Sequence, residues 1–72
     1  MTTTQITYHA PKTVKLDDVE KGWKIQFKNG DVGTVQYVRP GSVDLTVRTK
    51  RGAVKVQTLF ISKRSHVEVI AS

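Results

Sequence analysis

The stretch Trp23-Lys24-Ile25-Gln26-Phe27-Lys28-Asn29-Gly30-Asp31-Val32-Gly33-Thr34-Val35 decides the fold class. Its first five residues alternate apolar and polar, the period of a strand with one face buried and one in water. Lys28-Asn29-Gly30-Asp31 follows, and Asn-Gly is the strongest two-residue hairpin signal because both central positions of such a turn need φ > 0. Val32 to Arg39 then reads as the returning strand, with Val35 and Tyr37 on one side. Gly33 within it suggests a bulge or bend. Asp31 is expected to cap the turn with its own side chain.

The same grammar continues on both sides. Pro40-Gly41 is a turn pair. Val43, Leu45 and Val47 alternate with Asp44, Thr46 and Arg48, predicting a third strand. Thr49 to Gly52 is a polar turn closed by glycine, and Val54 and Val56 alternate with Lys55 and Gln57 to predict a fourth. Leu59-Phe60-Ile61 interrupts the alternation and suits a single helical turn packed under the sheet. Val67 and Val69 predict a last short strand, with Val14 and Leu16 as candidates to pair with it. Asp17 to Gly22 reads as a loop, with Gly22 bending the chain into the Trp23 strand. Residues 1–11 form a polar, Thr-rich lead. Ile6 and Tyr8, spaced by two, fit a short edge strand there, and a disordered tail fits as well.

Short strands with turn signals between them indicate a sandwich or barrel. Five strands are too few for a sandwich, and closing a small, strongly bent barrel reduces the exposed edges that invite aggregation. The expectation is an all-β chain: a lead over residues 1–11 and a five-stranded barrel over residues 12–72.

Around this core the segment Gly22-Trp23-Lys24-Ile25-Gln26-Phe27, the glycine-containing turn and Gly33-Thr34-Val35 resemble the SH3-like barrels of the KOW and Tudor group. Gly22 matches the glycine before the first barrel strand, and Gly33-Thr34-Val35 matches the Gly-x-Val that opens the second. The resemblance covers Gly22 to Val69. It implies an RNA-, DNA- or protein-binding module of the kind attached to ribosomes and transcription machinery. A stand-alone copy would resemble small accessory proteins of bacteria and their phages. Fold alone does not fix function.

Charge narrows the class of partner. The chain has 72 residues, 12 Lys and Arg against 6 Asp and Glu, a net charge of +6 and a pI near 10.0. From Val47 to Val67 it carries Arg48, Lys50, Arg51, Lys55, Lys63 and Arg64 without one acid. Clustered cations attract polyanions and speed their encounter. Strand alternation predicts Lys24, Lys28, Arg48 and Lys55 on the outside of the wall. Arg51 and Lys50 fall at a hairpin tip, Lys63 and Arg64 in a loop. Aligned by neighbouring strands, these eight would make a cationic stripe able to track phosphates, with arginines binding bidentately. A solvated surface that keeps a small protein soluble is the plainer alternative, which an even sprinkling of lysine would satisfy.

Trp23, Phe27 and Phe60 are assigned to the core. Tyr37 is the one barrel aromatic whose ring is a candidate for stacking, while Tyr8 lies in the lead. Without a clear aromatic platform, phosphate contact with little sequence preference follows more naturally than base stacking. DNA and RNA both stay open. The alternative is a protein-binding module or inhibitor docking on an acidic surface of a polymerase, nuclease or ribosomal protein. A third view is an oligomer built by edge-strand pairing.

Catalysis and cofactors find little support. There is no cysteine, so neither a disulfide nor a thiolate site is available. His9 and His66 cannot make a four-ligand zinc site, and Asp17, Asp18 and Glu20 lack the spacing of an oxygen-ligand loop. Ser65 adjoins His66, but adjacent strand residues point to opposite faces. Glu68 would share a face with His66. No phosphate-cradling Gly-x-x-x-x-Gly-Lys loop is present. The expectation is a non-enzymatic protein without metal or cofactor. No apolar run approaches the ~20 residues of a membrane span. The start lacks the regions of a signal peptide, so the expected location is cytoplasmic. A chain this short buries only about 60% of the surface its unfolded form exposes.

Overall fold

A computed structural model describes residues 6–72 of the protein, so residues 1–5 of the expected lead lie outside the described residues. The chain is all-β. Its strands are β1 (Tyr8–Lys15), β2 (Lys24–Gln26), β3 (Val32–Arg39), β4 (Ser42–Arg48), β5 (Val54–Phe60) and β6 (His66–Ala71), with a 3-10 turn at Leu16–Asp18. All six lie in one antiparallel sheet of order β1-β6-β2-β3-β4-β5.

This corrects the expected five-stranded barrel in two respects. There is a sixth strand, because the chain is extended through Pro11 and Lys12 and pairs Lys12 to Lys15 with His66 to Val69. The sheet is also open: β1 and β5 are its edges and do not pair with each other.

The core lies on one face. Leu16, Val19, Ile25, Val35, Val43, Leu45, Val47, Leu59, Val67 and Val69 form a single buried cluster, with Val14, Trp23, Phe27 and Ile61 packed against it. Those residues come from every strand and from the 3-10 turn, so the sheet curls around them, as right-handed strand twist favours. The segment Ile61–Ser65 crosses from the end of β5 to the start of β6. Phe60 C=O accepts from both Lys63 and Arg64 N–H at 2.9 Å, and Ser65 C=O accepts from Leu16 N–H at 2.8 Å. The helical turn expected at Leu59–Ile61 is not found: Leu59 and Phe60 are the last residues of β5, and a hydrogen-bonded turn follows from Ile61.

Two positions reverse the expected strand faces. In β5, Val43 stands opposite Leu59, Leu45 opposite Gln57 and Val47 opposite Lys55. Leu59 is buried, while Val54, Val56 and Phe60 are 58%, 78% and 52% exposed. Leu59 differs in parity from Val54 and Val56, and a strand without a bulge puts only one parity inward. Leu59 takes the core, so the two valines and Phe60 face outward and Lys55 turns to the core side. In β3 the register shifts between Val35 and Tyr37. The bulge therefore falls at Gln36 rather than Gly33. It sends Tyr37 to the outer face, opposite to Val35, because an extra residue inverts the alternation.

Candidate nucleic-acid interface

Two loops with the same backbone geometry stand side by side at one end of the sheet. In the first, Phe27 N–H donates to Asp31 C=O and Gly30 N–H to Phe27 C=O, both at 2.9 Å. In the second, Thr49 N–H donates to Ala53 C=O at 2.8 Å and Gly52 N–H to Thr49 C=O at 2.9 Å. Gly30 (φ 92°) and Gly52 (φ 86°) hold the left-handed positions, and among the described residues only glycines have positive φ. Each is a three-residue loop ending in a glycine bulge, not the two-residue Asn-Gly turn expected from the sequence. The side-chain roles change too: Asn29 Oδ1 accepts from Asp31 N–H at 3.0 Å, and Asn29 Nδ2 donates to Asp31 Oδ2 at 3.1 Å. Asn29, not Asp31, caps the turn.

Arg48 pairs with Val32 on one side and Val54 on the other, which sets the two loops next to each other. They present Lys28, Lys50 and Arg51, all exposed. The stem of Lys50 lies against Gly30, in space that a Cβ would occupy. Below the loops, Lys28, Asn29, Asp31, Lys55, Gln57 and Arg64 line a hollow floored by Phe27. Lys55 reaches it because of the inverted parity of β5. Arg64 reaches it because the crossing segment carries its guanidinium to 5.7 Å from the Phe27 ring centre, a cation–π distance.

Lys24 and Arg48 lie elsewhere, on the outer face, where they border a shallow groove with Tyr8, Gln36, Val54 and Ile70. Lys24 Nζ donates to Thr34 Oγ1 at 2.7 Å. The eight expected contact residues thus do not form one stripe. Lys28, Lys50, Lys55 and Arg64 gather at the loop end, with Arg51 at the neighbouring tip. Lys24 and Arg48 sit on the outer face, and Lys63 is exposed in the crossing turn. Among the described residues the one ion pair is Arg39–Asp44, at 3.0 Å. None of the eight cations has a carboxylate partner.

Phe60 and Tyr37 depart from the faces expected from the sequence. Phe60 is half-exposed on the outer face rather than core. Tyr8 and Tyr37 are 65% and 63% exposed there, and Arg39 lies 5.4 Å over the Tyr37 ring. The signal for Phe60 was its adjacency to Leu59, since neighbours in a strand cannot both face the core. Ser65 Oγ lies 3.0 Å from His66 Nδ1, a contact made possible because Ser65 precedes β6 and escapes its alternation. Glu68 does not join them: its carboxylate accepts from Thr13 Oγ1 at 2.9 Å. Among the described residues no group of three His, Cys, Asp or Glu side chains is placed to hold a metal ion, and no helix is long and apolar enough to cross a membrane.

Comparison with protein-family models, curated proteins and solved structures finds no match for this chain.

Proposed function

We propose that this protein is a small SH3-like binding module that holds nucleic acid by its phosphates, with little sequence preference, through the cations at the loop end of the sheet. The carrying observation is that Lys28, Lys50, Lys55 and Arg64 converge there and none forms an ion pair, although Asp31 shares the hollow, where its carboxylate accepts from Asn29. Unpaired cations carry no competing ion pair that a phosphate must displace, and several together release several counterions on binding. The curled antiparallel sheet with Gly22 before β2 and Gly33 in β3 supports the SH3-like reading. In this reading the protein acts by binding rather than catalysis, as a cytoplasmic accessory of transcription, translation or DNA transactions. Lys24 and Arg48, with exposed Tyr37, offer a second track on the outer face for a strand leaving the loop end.

The test is fluorescence anisotropy with labelled duplex DNA, single-stranded DNA and RNA across a salt series. Binding that weakens steeply with salt, and is lost on reversing Lys50, Lys55 and Arg64 to Glu, supports the proposal. Unchanged binding in that triple variant sinks it. If no polymer binds at low salt, the same cations serve an acidic protein surface. A partner captured from nuclease-treated lysate would then identify it.

A further inference from the structure

We infer that β5 is a self-association edge: two copies of this chain join antiparallel, β5 to β5, about a two-fold axis at Gln57. The inference rests on the free edge of the sheet and is independent of the cation cluster.

The ladder fixes which way the backbone of β5 points. Thr49 N–H donates to Ala53 C=O at one end, and Ile61 N–H donates to Gly41 C=O at the other. In an antiparallel pair, bonded and non-bonded positions alternate. Lys55, Gln57 and Leu59 therefore turn their backbone groups toward β4, and Val54, Val56 and Thr58 turn theirs to the open edge. Val54, Val56 and Phe60 are also exposed apolar side chains of the outer face. Backbone donors and acceptors and apolar side chains are thus unpartnered along the same line.

The opposite edge is built differently. β1 carries Pro11, which has no N–H, together with Lys12 and Lys15, and its register breaks between Tyr8 and Lys12. Proline, lysine and irregular register are the features that blunt an edge against further pairing. β5 has one such device, Lys55.

The occupant follows from register. A two-fold interface must be self-complementary. With the axis at Gln57, Val54 faces Phe60 of the second copy, Val56 faces Thr58, and Lys55 faces Leu59. Residues with free backbone groups then oppose one another, each exposed apolar side chain gains a partner, and the two Lys55 ammonium groups stay apart. An axis at Val56 would instead set Phe60 against Gly52 and leave its ring uncovered.

Salt gives the proposal a signature of its own. Each copy carries +6, so repulsion opposes pairing at low ionic strength and is screened as salt rises. Nucleic-acid binding has the reverse dependence. A failure of one reading is therefore distinguishable from a failure of the other.

The experiment is the mass of the nuclease-treated full chain by light scattering, over a range of concentrations at low and high salt. The expected result is a twofold mass that grows with concentration and with salt. Val56→Lys, at the most exposed of these positions, is expected to remain monomeric with an unchanged circular dichroism spectrum. Val54→Lys serves where that variant does not fold. Gln57→Cys, the sole thiol in the chain, is expected to cross-link on oxidation, because the axis puts it in a close non-bonded pair. A monomer mass under all conditions overturns the proposal, as does a dimer that survives both lysine variants. A dimer that Gln57→Cys does not link overturns the axis.

Discussion

The ring of Phe27 rests on Gly33 across the β2–β3 hairpin: a Cβ at Gly33 would lie 3.1 Å from Phe27 Cε2 and 3.4 Å from Leu45 Cδ1. Gly33 is thus kept small by packing, not by backbone conformation. Phe27 in turn floors the hollow beneath Arg64 and Lys55. Gly33→Ala restricts the unfolded chain, a gain of about 0.4–1 kcal/mol, but overpacking typically costs about 1–3 kcal/mol. The expected net loss is about 1 kcal/mol, and larger for Gly33→Val. Thermal unfolding followed by circular dichroism should show a fall on the order of 4–8 °C for the alanine variant. An unchanged or raised melting temperature would show that Phe27 does not press on Gly33.

Gly30 and Gly52 form a matched pair for separating stability from binding. Both hold positive φ at the same place in the same loop type. A Cβ at Gly52 meets nothing within 4 Å, whereas one at Gly30 meets the stem of Lys50. The left-handed conformation costs a non-glycine residue about 1–2 kcal/mol. Lys50 is a flexible, exposed side chain and swings away at little further cost. The two alanine variants should therefore lose similar stability in urea melts. Polyanion affinity should fall more in Gly30→Ala, because only there is Lys50 displaced. Equal affinities would remove Lys50 from the interface.

Strand existence was legible from residues 23 onward because alternation and glycine-marked turns recur at short intervals. Side-chain direction was legible only where nothing broke the parity. In β4, Val43, Leu45 and Val47 all face the core as their alternation predicts. In β5, two parities compete, and burial of Leu59 decides between them through pairing with Val43, which is invisible in the local pattern. The bulge at Gln36 carries no glycine and left no local signal, so Tyr37 was assigned the wrong face. β1 was obscured because it spans Pro11, the last residue of the expected lead, yet proline is compatible with an edge strand. The cations were identifiable by sign segregation. Their division between loop end and outer face was not, because it depends on β5 parity and on the path of Ile61–Ser65 across the core.

Asp44 links Arg39 to the sheet: its carboxylate lies 3.0 Å from Arg39 Nη2 and accepts from Thr58 Oγ1 at 2.8 Å. Asp44→Asn keeps an oxygen for Thr58 and removes the charge that holds Arg39. Arg39 is well exposed, so the ion pair contributes at most about 1 kcal/mol, and the melting temperature should move little. The variant adds one to the net positive charge and frees a guanidinium beside Tyr37. Anisotropy titrations should show tighter polyanion binding. If Arg39 takes a phosphate, the salt slope steepens by about 0.7 on a single strand or about 0.9 on duplex DNA. Weaker binding would mean that the Arg39–Asp44 pair orders the outer face for its ligand.

The division of the cations into two groups makes their contributions separable. Lys50, Lys55 and Arg64 are exposed, so replacing all three by Gln should change the unfolding free energy by no more than about 0.5 kcal/mol per substitution. If the loop end is the phosphate site, the triple variant loses three contacts. The slope of log affinity against log salt should then fall by about 2.7 on duplex DNA, or about 2.1 on a single strand. Replacing Lys24 and Arg48 by Gln should change it less, because Lys24 Nζ is already engaged with Thr34. The opposite ranking would move the interface to the outer-face groove, where exposed Tyr8 stands beside the cations. Single strands should then be preferred, because duplex bases are not free to stack on that ring.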